Sequence, residues 1–308
     1  MTPSSSRTVV VALVANIGVA IAKVTAAVLT ASTAMTAEAS HACADVGNQL
    51  LLVVAQRRSG RPADNRHPFG YGREAYFWAL LASVVVFVGG AVFSFREGIA
   101  ELLHPVPLGT FTAVYVVLAV SMVLDATSLI QSVLQLRREA HTQSRDFLDQ
   151  LMLTSDPTVR AVFAEDAAAI AGDLVAFVGI ALHHRTGSST PEGWAATIIG
   201  VILVGVGLQL ARRNRDFLLG EQAPPEAKDR IRATIADFPG ITAVDELLVT
   251  FIGPRQVCVL CRVDIDDDLR GDQVEALVRE LDRSLRTQSD YVHRVDIVPI
   301  GRSNAVTS

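Results

Sequence analysis

Six stretches of this chain are apolar over the roughly 20 residues that a helix needs to cross a bilayer. Hydrophobic residues make up 50% of the chain and charged residues 19%, whereas soluble domains carry about 25% charged residues. We therefore predict an α-helical membrane bundle of six transmembrane helices. The predicted spans are residues 9–31, 34–56, 74–95, 112–135, 159–182 and 192–211.

Two of these spans carry ionisable residues that a bilayer interior disfavours. One charged group near the bilayer centre costs about 2.5–3.5 kcal/mol on insertion scales, so such residues usually serve a function. Carboxylates and imidazoles are also ligands of divalent metals. The sequence therefore indicates a metal-ion pathway through the bundle. The residues concerned are Glu38, His41 and Asp45 in the second span, and Glu165, Asp166 and Asp173 in the fifth.

Helical spacing places most of these residues on two stripes. His41 and Asp45 are four residues apart, so they share a helix face about 6 Å apart along the axis. Glu38 lies on the same stripe but about 10.5 Å from Asp45, which is too far for both to bind one ion. In the fifth span Asp166 and Asp173 are likewise about 10.5 Å apart. Their depth in the bilayer leaves the choice between them open.

Three other charged residues in or near the spans are interpreted as structural. Asp125 in the fourth span is expected to fasten helices together through buried hydrogen bonds. Lys23 in the first span and Arg96 near the end of the third are expected to pair with acids or to extend toward the membrane surface.

Arginines are concentrated in alternate loops. Because basic residues stay on the cytoplasmic side of a membrane, both termini of this multi-pass chain are predicted to be cytoplasmic. The arginines are Arg57, Arg58, Arg61, Arg66 and Arg73 after the second span, Arg137, Arg138 and Arg145 after the fourth, and Arg212, Arg213 and Arg215 after the sixth.

The C-terminal tail is predicted to fold as a small α+β domain with the order αββαβ. Its core is thin for independent stability, so we expect it to self-associate. This organisation gives a transmembrane domain at residues 1–215 and a cytoplasmic dimerisation domain at residues 221–302. The predicted tail elements are a helix at 226–238, strands at 244–251 and 256–265, a helix at 271–287 and a strand at 292–300.

The charge of the tail and the cysteine count narrow the functional classes. Residues 221–308 hold 16 acidic and 11 basic residues, so nucleic acid is not an expected partner. Cys43, Cys258 and Cys261 form neither a disulfide framework nor a paired zinc motif. No cleaved signal peptide is expected, because the first apolar run is long enough to span.

Two motifs resemble signatures of the cation diffusion facilitator family. The stretch AEASHACADVGNQ at 37–49 is similar to the second-helix motif of that family, and RPADNRHPFGYGRE at 61–74 is similar to its loop signature. Six spans followed by an αββαβ tail are also similar to the family pattern. The resemblance therefore covers nearly the whole chain.

This resemblance implies a homodimer in the lipid bilayer that exports a divalent metal ion in exchange for protons. Zn²⁺ is the implied cargo, with Mn²⁺, Fe²⁺ and Co²⁺ as alternatives. No permanently bound cofactor and no enzymatic activity are expected. The tail is implied to have a metallochaperone-like fold, and we expect a bacterial plasma membrane as the location.

The resemblance also implies a set of transport ligands. It assigns His41 and Asp45 in the second span and Asp166 in the fifth. The family has a further ligand four residues before that aspartate, but Val162 holds this position and cannot coordinate a metal. The alternative register, which uses Asp173, lacks that ligand as well. Further candidate ligands in the two clusters are Glu38, Glu165 and Asp173.

Two further metal sites are possible in this family. A loop site would use Asp64 and His67, and Tyr71 stands where a further histidine can occur. The alternative is that these residues only shape the loop. In the tail, Asp245 and Cys261 stand at possible ligand positions, but the tail lacks a histidine-rich set. We therefore expect the tail to dimerise without a metal cluster.

Two other functions are compatible with the sequence. A non-transporting membrane partner or sensor would act through the tail, with the spans only as its anchor, and the incomplete ligand set of the fifth span leaves this alternative open. A membrane protease would use paired intramembrane aspartates, but His41 would then have no role. The physiological metal and the fourth ligand stay open at this point.

Overall fold

The computed structural model describes residues 3–105, 111–142, 156–289 and 291–300. The chain forms two compact units. The first comprises Met1–Arg57 and Tyr76–Arg215, and the second comprises Arg58–Ala75 and Asp216–Ser308. The segment that follows the second long helix thus belongs to the same unit as the C-terminal part of the chain.

Long helices build the first unit, and each predicted span falls largely within one of them. The third span is divided by a short π-helical turn. The bounds are α1 (Pro3–Thr30), α2 (Thr33–Ser59), α3 (Glu74–Ala82), the π-helical turn (Ser83–Phe87), α4 (Val88–Leu103), α5 (Phe111–Thr142), α6 (Pro157–Thr186) and α7 (Thr190–Leu219).

Three helical segments within the described residues are long and apolar enough to cross a membrane by length and composition. They are Glu74–Leu103, Phe111–Leu134 and Thr190–Leu219. The part of α1 from Asn16 to Thr30 is apolar but shorter. α2 and α6, which carry the ionisable clusters, are not among the three. Six complete spans therefore stay a prediction.

A turn of two residues joins α1 to α2. Ala31 has a left-handed backbone conformation with a φ of 55°, which ends α1 in the usual way. Ser32 then caps α2, because its Oγ accepts the Met35 N–H at 3.2 Å. The short turn makes the helices antiparallel neighbours, so Lys23 of α1 and Glu38 of α2 come close together.

Small side chains fill the core of the first unit. Buried alanines and glycines let helices approach closely in membrane bundles. A Cβ placed on Gly98 of α4 would lie only 2.8 Å from the Gly193 carbonyl oxygen of α7. The buried alanines of this core include Ala34, Ala37, Ala39, Ala176, Ala195 and Ala196.

The second unit contains a three-stranded sheet with two helices. β2 is central, antiparallel to β1 and parallel to β3. A parallel pair needs a crossover connection, which α9 supplies between β2 and β3. The elements follow the predicted αββαβ order. Their bounds are α8 (Pro225–Ala236), β1 (Ile241–Gly253), β2 (Gln256–Ile265), α9 (Gly271–Gln288) and β3 (Val292–Ile300).

The segment 58–75 packs within the second unit. The Arg294 guanidinium of β3 lies 4.8 Å from the centre of the Phe69 ring, a cation–π contact. A Cβ on Gly72 would lie 2.6 Å from the Ile252 carbonyl oxygen and 2.9 Å from Gly253 Cα at the end of β1. A residue with a side chain cannot approach the strand this closely.

Candidate metal centre

Ionisable side chains from four helices meet in the interior of the first unit. They come from positions far apart in the sequence, and the fold brings them together as two clusters. The cavity cluster comprises Asp45 of α2, Asp125 of α5, and Glu165 and Asp166 of α6. The lysine cluster comprises Lys23 of α1, Glu38 of α2, Ser121 of α5 and Asp173 of α6.

The cavity cluster lines a small, partly open space. Its volume is about 20 Å³, which is enough for one water-sized particle. Asn16 and Lys23 of α1 add polar atoms to the wall. Four carboxylates and an amide around so small a space form a donor set that suits a cation.

His41 and Asp45 lie side by side on α2, as their spacing predicts. The His41 Nε2 atom is 3.4 Å from Asp45 Oδ1, and the side chains are 1% and 14% exposed. Neither of these two atoms has a hydrogen-bond partner among the described residues. Both are therefore available to a ligand.

Asp166 of α6 is held in the cavity wall by hydroxyl groups of α5. Ser128 Oγ donates a hydrogen bond to Asp166 Oδ2 at 2.8 Å, and Ser132 Oγ donates to the same oxygen at 3.3 Å. The two hydroxyls fix the orientation of the carboxylate, as supporting groups do around metal ligands. The sequence analysis did not single out these serines.

Asp173 and Glu38 occupy a different environment from Asp166. The Lys23 ammonium lies 2.7 Å from Asp173 Oδ1 and 2.8 Å from Glu38 Oε2. Ser121 Oγ donates a second bond to Asp173, at 2.9 Å on Oδ2. The expectation that Lys23 pairs with acids is confirmed, and its partners are two of the further candidate ligands.

Asp125 was expected to be satisfied by hydrogen bonds, and it takes a different place in the structure. Its Oδ2 is buried without a hydrogen-bond partner among the described residues. It lines the cavity with Asp45 and Asp166 and lies 4.0 Å from the Lys23 ammonium. A lone aspartate in the fourth span gives no sequence signal for this convergence.

Unpaired buried polar atoms concentrate at this centre. Native proteins leave few such atoms unsatisfied, and each one asks for an explanation. Within the described ranges, however, no three His, Cys, Asp or Glu side chains already stand close enough to hold a metal. The unpaired atoms of the centre are Glu38 Oε1, His41 Nε2, Asp45 Oδ1, Asn48 Nδ2, Asp125 Oδ2 and Glu165 Oε1.

A glycine lets α6 approach α2 at the height of these ligands. A Cβ on Gly172 would overlap Glu38 Oε1 and would lie 3.6 Å from His41 Nδ1. Any larger residue would force the Glu38 carboxylate, whose other oxygen is bonded to Lys23, out of its position.

The loop candidates Asp64 and His67 lie together in the second unit but are engaged locally. Asp64 Oδ1 accepts the Arg66 and His67 N–H groups at 2.9 and 2.7 Å, and Tyr71 Oη donates to Oδ2 at 2.7 Å. The Tyr71 hydroxyl is the main cause that lowers the pKa of Asp64. These contacts are those of a residue that shapes a loop.

The tail candidates are dispersed over the sheet. Cys261 is buried in β2, and burial raises the pKa of its thiol to about 11. A thiolate, which is the metal-binding form, is therefore scarce at neutral pH. Asp245 of β1 and His293 of β3 are exposed.

Apolar helices that enclose buried carboxylates and an imidazole define the class of this chain, an α-helical integral membrane protein. The family model described as the cation efflux transmembrane domain matches residues 9–219. The chain therefore belongs to the cation diffusion facilitator family, as its two motifs predicted. Proteins of this family are membrane transporters.

Named relatives agree with this assignment. The proton-coupled zinc antiporter SLC30A9, mitochondrial, of Xenopus laevis is 29% identical over 274 residues, 87% of this chain and 49% of that protein. Its human counterpart is 30% identical over 239 residues, 78% of this chain and 42% of its own. The chain thus spans about half the length of these relatives. The manganese efflux system protein MneP of Bacillus subtilis (strain 168) is 23% identical over 301 residues, 94% of each chain.

Proposed function

We propose that this protein exports a divalent metal ion across its membrane in exchange for protons. The observation that carries the proposal is the meeting of Asp45 of α2 with Glu165 and Asp166 of α6 at one cavity, beside the His41 imidazole. Asp45 Oδ1 and Glu165 Oε1 are buried there without hydrogen-bond partners among the described residues, which suits a cation that is held briefly and then released. Membership of the cation efflux family supports the same reaction.

The proposed ligands are His41, Asp45 and Asp166. Glu165 or Asp125, which line the same cavity, would complete the set in place of the missing ligand of α6. The side chains would have to close around the ion from their present positions, as carboxylates on neighbouring helices can. The placement of Asp166 in the cavity wall favours it over Asp173.

Zn²⁺ is the first candidate cargo and Mn²⁺ the second, with Fe²⁺ and Co²⁺ also possible. An imidazole nitrogen favours Zn²⁺, whereas a set rich in carboxylate oxygens also suits Mn²⁺. The site combines one imidazole with several carboxylates. The names of the relatives, a zinc antiporter and a manganese efflux protein, support both metals.

Proton exchange follows from the chemistry of the ligands. A divalent ion binds deprotonated imidazole and carboxylate, so metal binding releases protons. If the emptied site takes up protons from the far side, metal and protons alternate on His41, Asp45 and Asp166. This alternation is antiport.

We also propose a homodimer with both termini in the cytoplasm of a bacterial cell. The arginine-rich loops support the orientation, and the small sheet unit supports dimerisation through added buried surface. Light scattering of the detergent-solubilised chain should give twice the protein mass of 32.9 kDa. A monomer under conditions that preserve transport would contradict the dimer.

The central experiment measures metal flux in sealed proteoliposomes. Purified protein should move Zn²⁺ faster when a pH gradient is acidic on the receiving side, and Asp45→Asn should abolish this flux. Glu97→Gln is the matched control, since it removes a carboxylate of α4 that pairs with Arg96 at 3.0 Å. Full flux in Asp45→Asn, or flux indifferent to the gradient, would contradict the site or the coupling. Repeating the assay with Mn²⁺ ranks the two cargoes.

A further inference from the structure

Lys23 is a fully enclosed cation in the middle of the bundle. It is 2% exposed, and its ammonium contacts Glu38 Oε2 at 2.8 Å and Asp173 Oδ1 at 2.7 Å. Asp125 Oδ2 lies 4.0 Å away on the side of the cavity. The ammonium is therefore held by two carboxylates and stands next to a third.

The lysine cluster and the cavity cluster are two layers of the same bundle. On each of four helices, a residue of the lysine cluster lies seven positions from a residue that lines or supports the cavity, so their backbones are about 10.5 Å apart along the helix. The Lys23 side chain itself reaches the cavity wall. The lysine cluster is the layer nearer to the α1–α2 and α6–α7 turns. The pairs are Lys23 and Asn16, Glu38 and Asp45, Ser121 and Ser128, and Asp173 and Asp166.

The carboxylates of the lysine cluster have the chemistry of a cation site. Glu38 and Asp173 are both fully buried and direct one oxygen each at the same point, which the ammonium occupies. Glu38 Oε1 is buried there without a hydrogen-bond partner among the described residues. Two carboxylates, one of which has an oxygen without a hydrogen-bond partner, are a donor set for a divalent ion once no lysine is present.

We infer that Lys23 is a tethered cation that fills this second site and confines the transported metal to the cavity cluster. The inference rests on the proposed function and adds the residue that keeps the number of bound ions at one. A metal in the cavity faces a fixed positive charge on the side of the α1–α2 turn. Under the proposed topology that side is extracytoplasmic, so the ammonium stands between the cavity and the exit.

The inference differs from a purely structural role for Lys23 in what its removal produces. A structural lysine leaves behind an unstable protein and no new property. A tethered cation leaves behind a vacated pair of carboxylates, so the protein gains a metal site. The number of bound ions per chain separates the two roles.

The experiment counts Zn²⁺ ions bound per chain by isothermal titration of the detergent-purified, full-length protein. The wild type and Lys23→Arg, which keeps the charge, should each bind one ion in the bundle. Lys23→Met keeps the length of the side chain without its charge, and should bind two. Lys23→Met/Asp173→Asn lacks one carboxylate of the vacated pair and should return to one. An unchanged count in folded Lys23→Met would overturn the inference.

Milder variants decide the question if Lys23→Met fails to fold. Glu38→Gln and Asp173→Asn each leave Lys23 with one acidic partner. Because the ammonium, and not the metal, uses these carboxylates, the Kd for Zn²⁺ should change by less than about threefold, whereas Asp45→Asn should raise it about 100-fold or more. A loss in Asp173→Asn as large as in Asp45→Asn would overturn the inference.

The same titration separates this inference from the proposed function. A wild-type protein that binds no Zn²⁺ in the bundle would contradict the proposed function. The role of Lys23 would then be decided by the difference in bound Zn²⁺ ions between Lys23→Met and the wild type. A gain of one ion supports a tethered cation, and no gain overturns it.

Discussion

The chain contains two histidine–aspartate pairs with the same separation and opposite surroundings. His41 Nε2 lies 3.4 Å from Asp45 Oδ1 in the helical bundle, and His67 Nδ1 lies 3.4 Å from Asp64 Oδ1 in the loop of the second unit. The bundle pair is 1% and 14% exposed, and the loop pair is 50% and 49% exposed.

The two pairs differ in how many hydrogen bonds the aspartate already accepts. Asp64 accepts two backbone N–H groups and the Tyr71 hydroxyl, so a metal would have to displace bonds already made. Asp45 Oδ1 and His41 Nε2 are buried without partners among the residues described. Residue type and distance are therefore the same in the two pairs, whereas burial and unused hydrogen-bonding capacity favour the bundle pair as the candidate metal site.

The largest expected contrast comes from the two histidines. His41→Ala should reduce Zn²⁺ flux in proteoliposomes at least as strongly as loss of a supporting group around a metal, which costs about 10–100-fold. His67→Ala should leave flux within about twofold, because the loop pair is already satisfied. Equal losses in the two variants would show that the loop pair also serves transport.

A second contrast concerns the glycine behind the bundle pair. Gly172→Ala places a methyl group against Glu38 and His41, and overpacking of this kind costs about 1–3 kcal/mol. The melting temperature and the Zn²⁺ flux should both fall. Gly205→Ala on α7 is the control, since its Cβ would meet nothing within 4 Å, and alanine should stabilise that helix by about 0.5–1 kcal/mol. If Gly172→Ala melts at the same temperature as the wild type, then α6 or the Glu38 side chain has room to move aside.

The smallest expected effect tests how the loop pair is held. Tyr71→Phe removes the hydroxyl that lowers the pKa of Asp64 most strongly, so this pKa should rise toward the ordinary value of about 3.9. Because the pKa of Asp64 is lower in the folded chain than its ordinary value of about 3.9, the ionised carboxylate stabilises the loop above that ordinary value. This stabilisation is lost as the pH falls through the lowered pKa.

Carboxyl-carbon NMR of labelled protein would follow this titration. Zn²⁺ flux at neutral pH should be the same in Tyr71→Phe and the wild type, since Asp64 is ionised in both. A pKa of Asp64 that stays low in the variant would mean that the backbone N–H groups of Arg66 and His67 hold the carboxylate without help from the hydroxyl.

Local spacing was sufficient to predict the elements and the contact between the two candidate ligands of α2. The i,i+4 relation of His41 and Asp45 predicted their contact, and the predicted strand at 256–265 coincides with β2. Both results depend on residues close in sequence. The αββαβ order was predictable for the same reason, because turn residues separate each element from the next.

Contacts between distant helices were not predictable from one sequence. Lys23 reaches Asp173 across 150 positions, and that contact depends on which helices are neighbours, which hydropathy does not reveal. Asp125 joined the cavity for the same reason. The short π-helical turn at Ser83–Phe87 also has no signal in the apolar composition of its span.

The grouping of Arg58–Ala75 with Asp216–Ser308 in one unit has a consequence for biosynthesis. Phe69 leaves the ribosome more than two hundred residues before Arg294 of β3, its cation–π partner in the finished unit. At about 5–20 residues per second, this segment waits roughly 10–45 s for its strands. During that interval the segment lacks its contact with β3, so we expect proteases to cleave it more readily. A chain truncated before β3 would stay in this state.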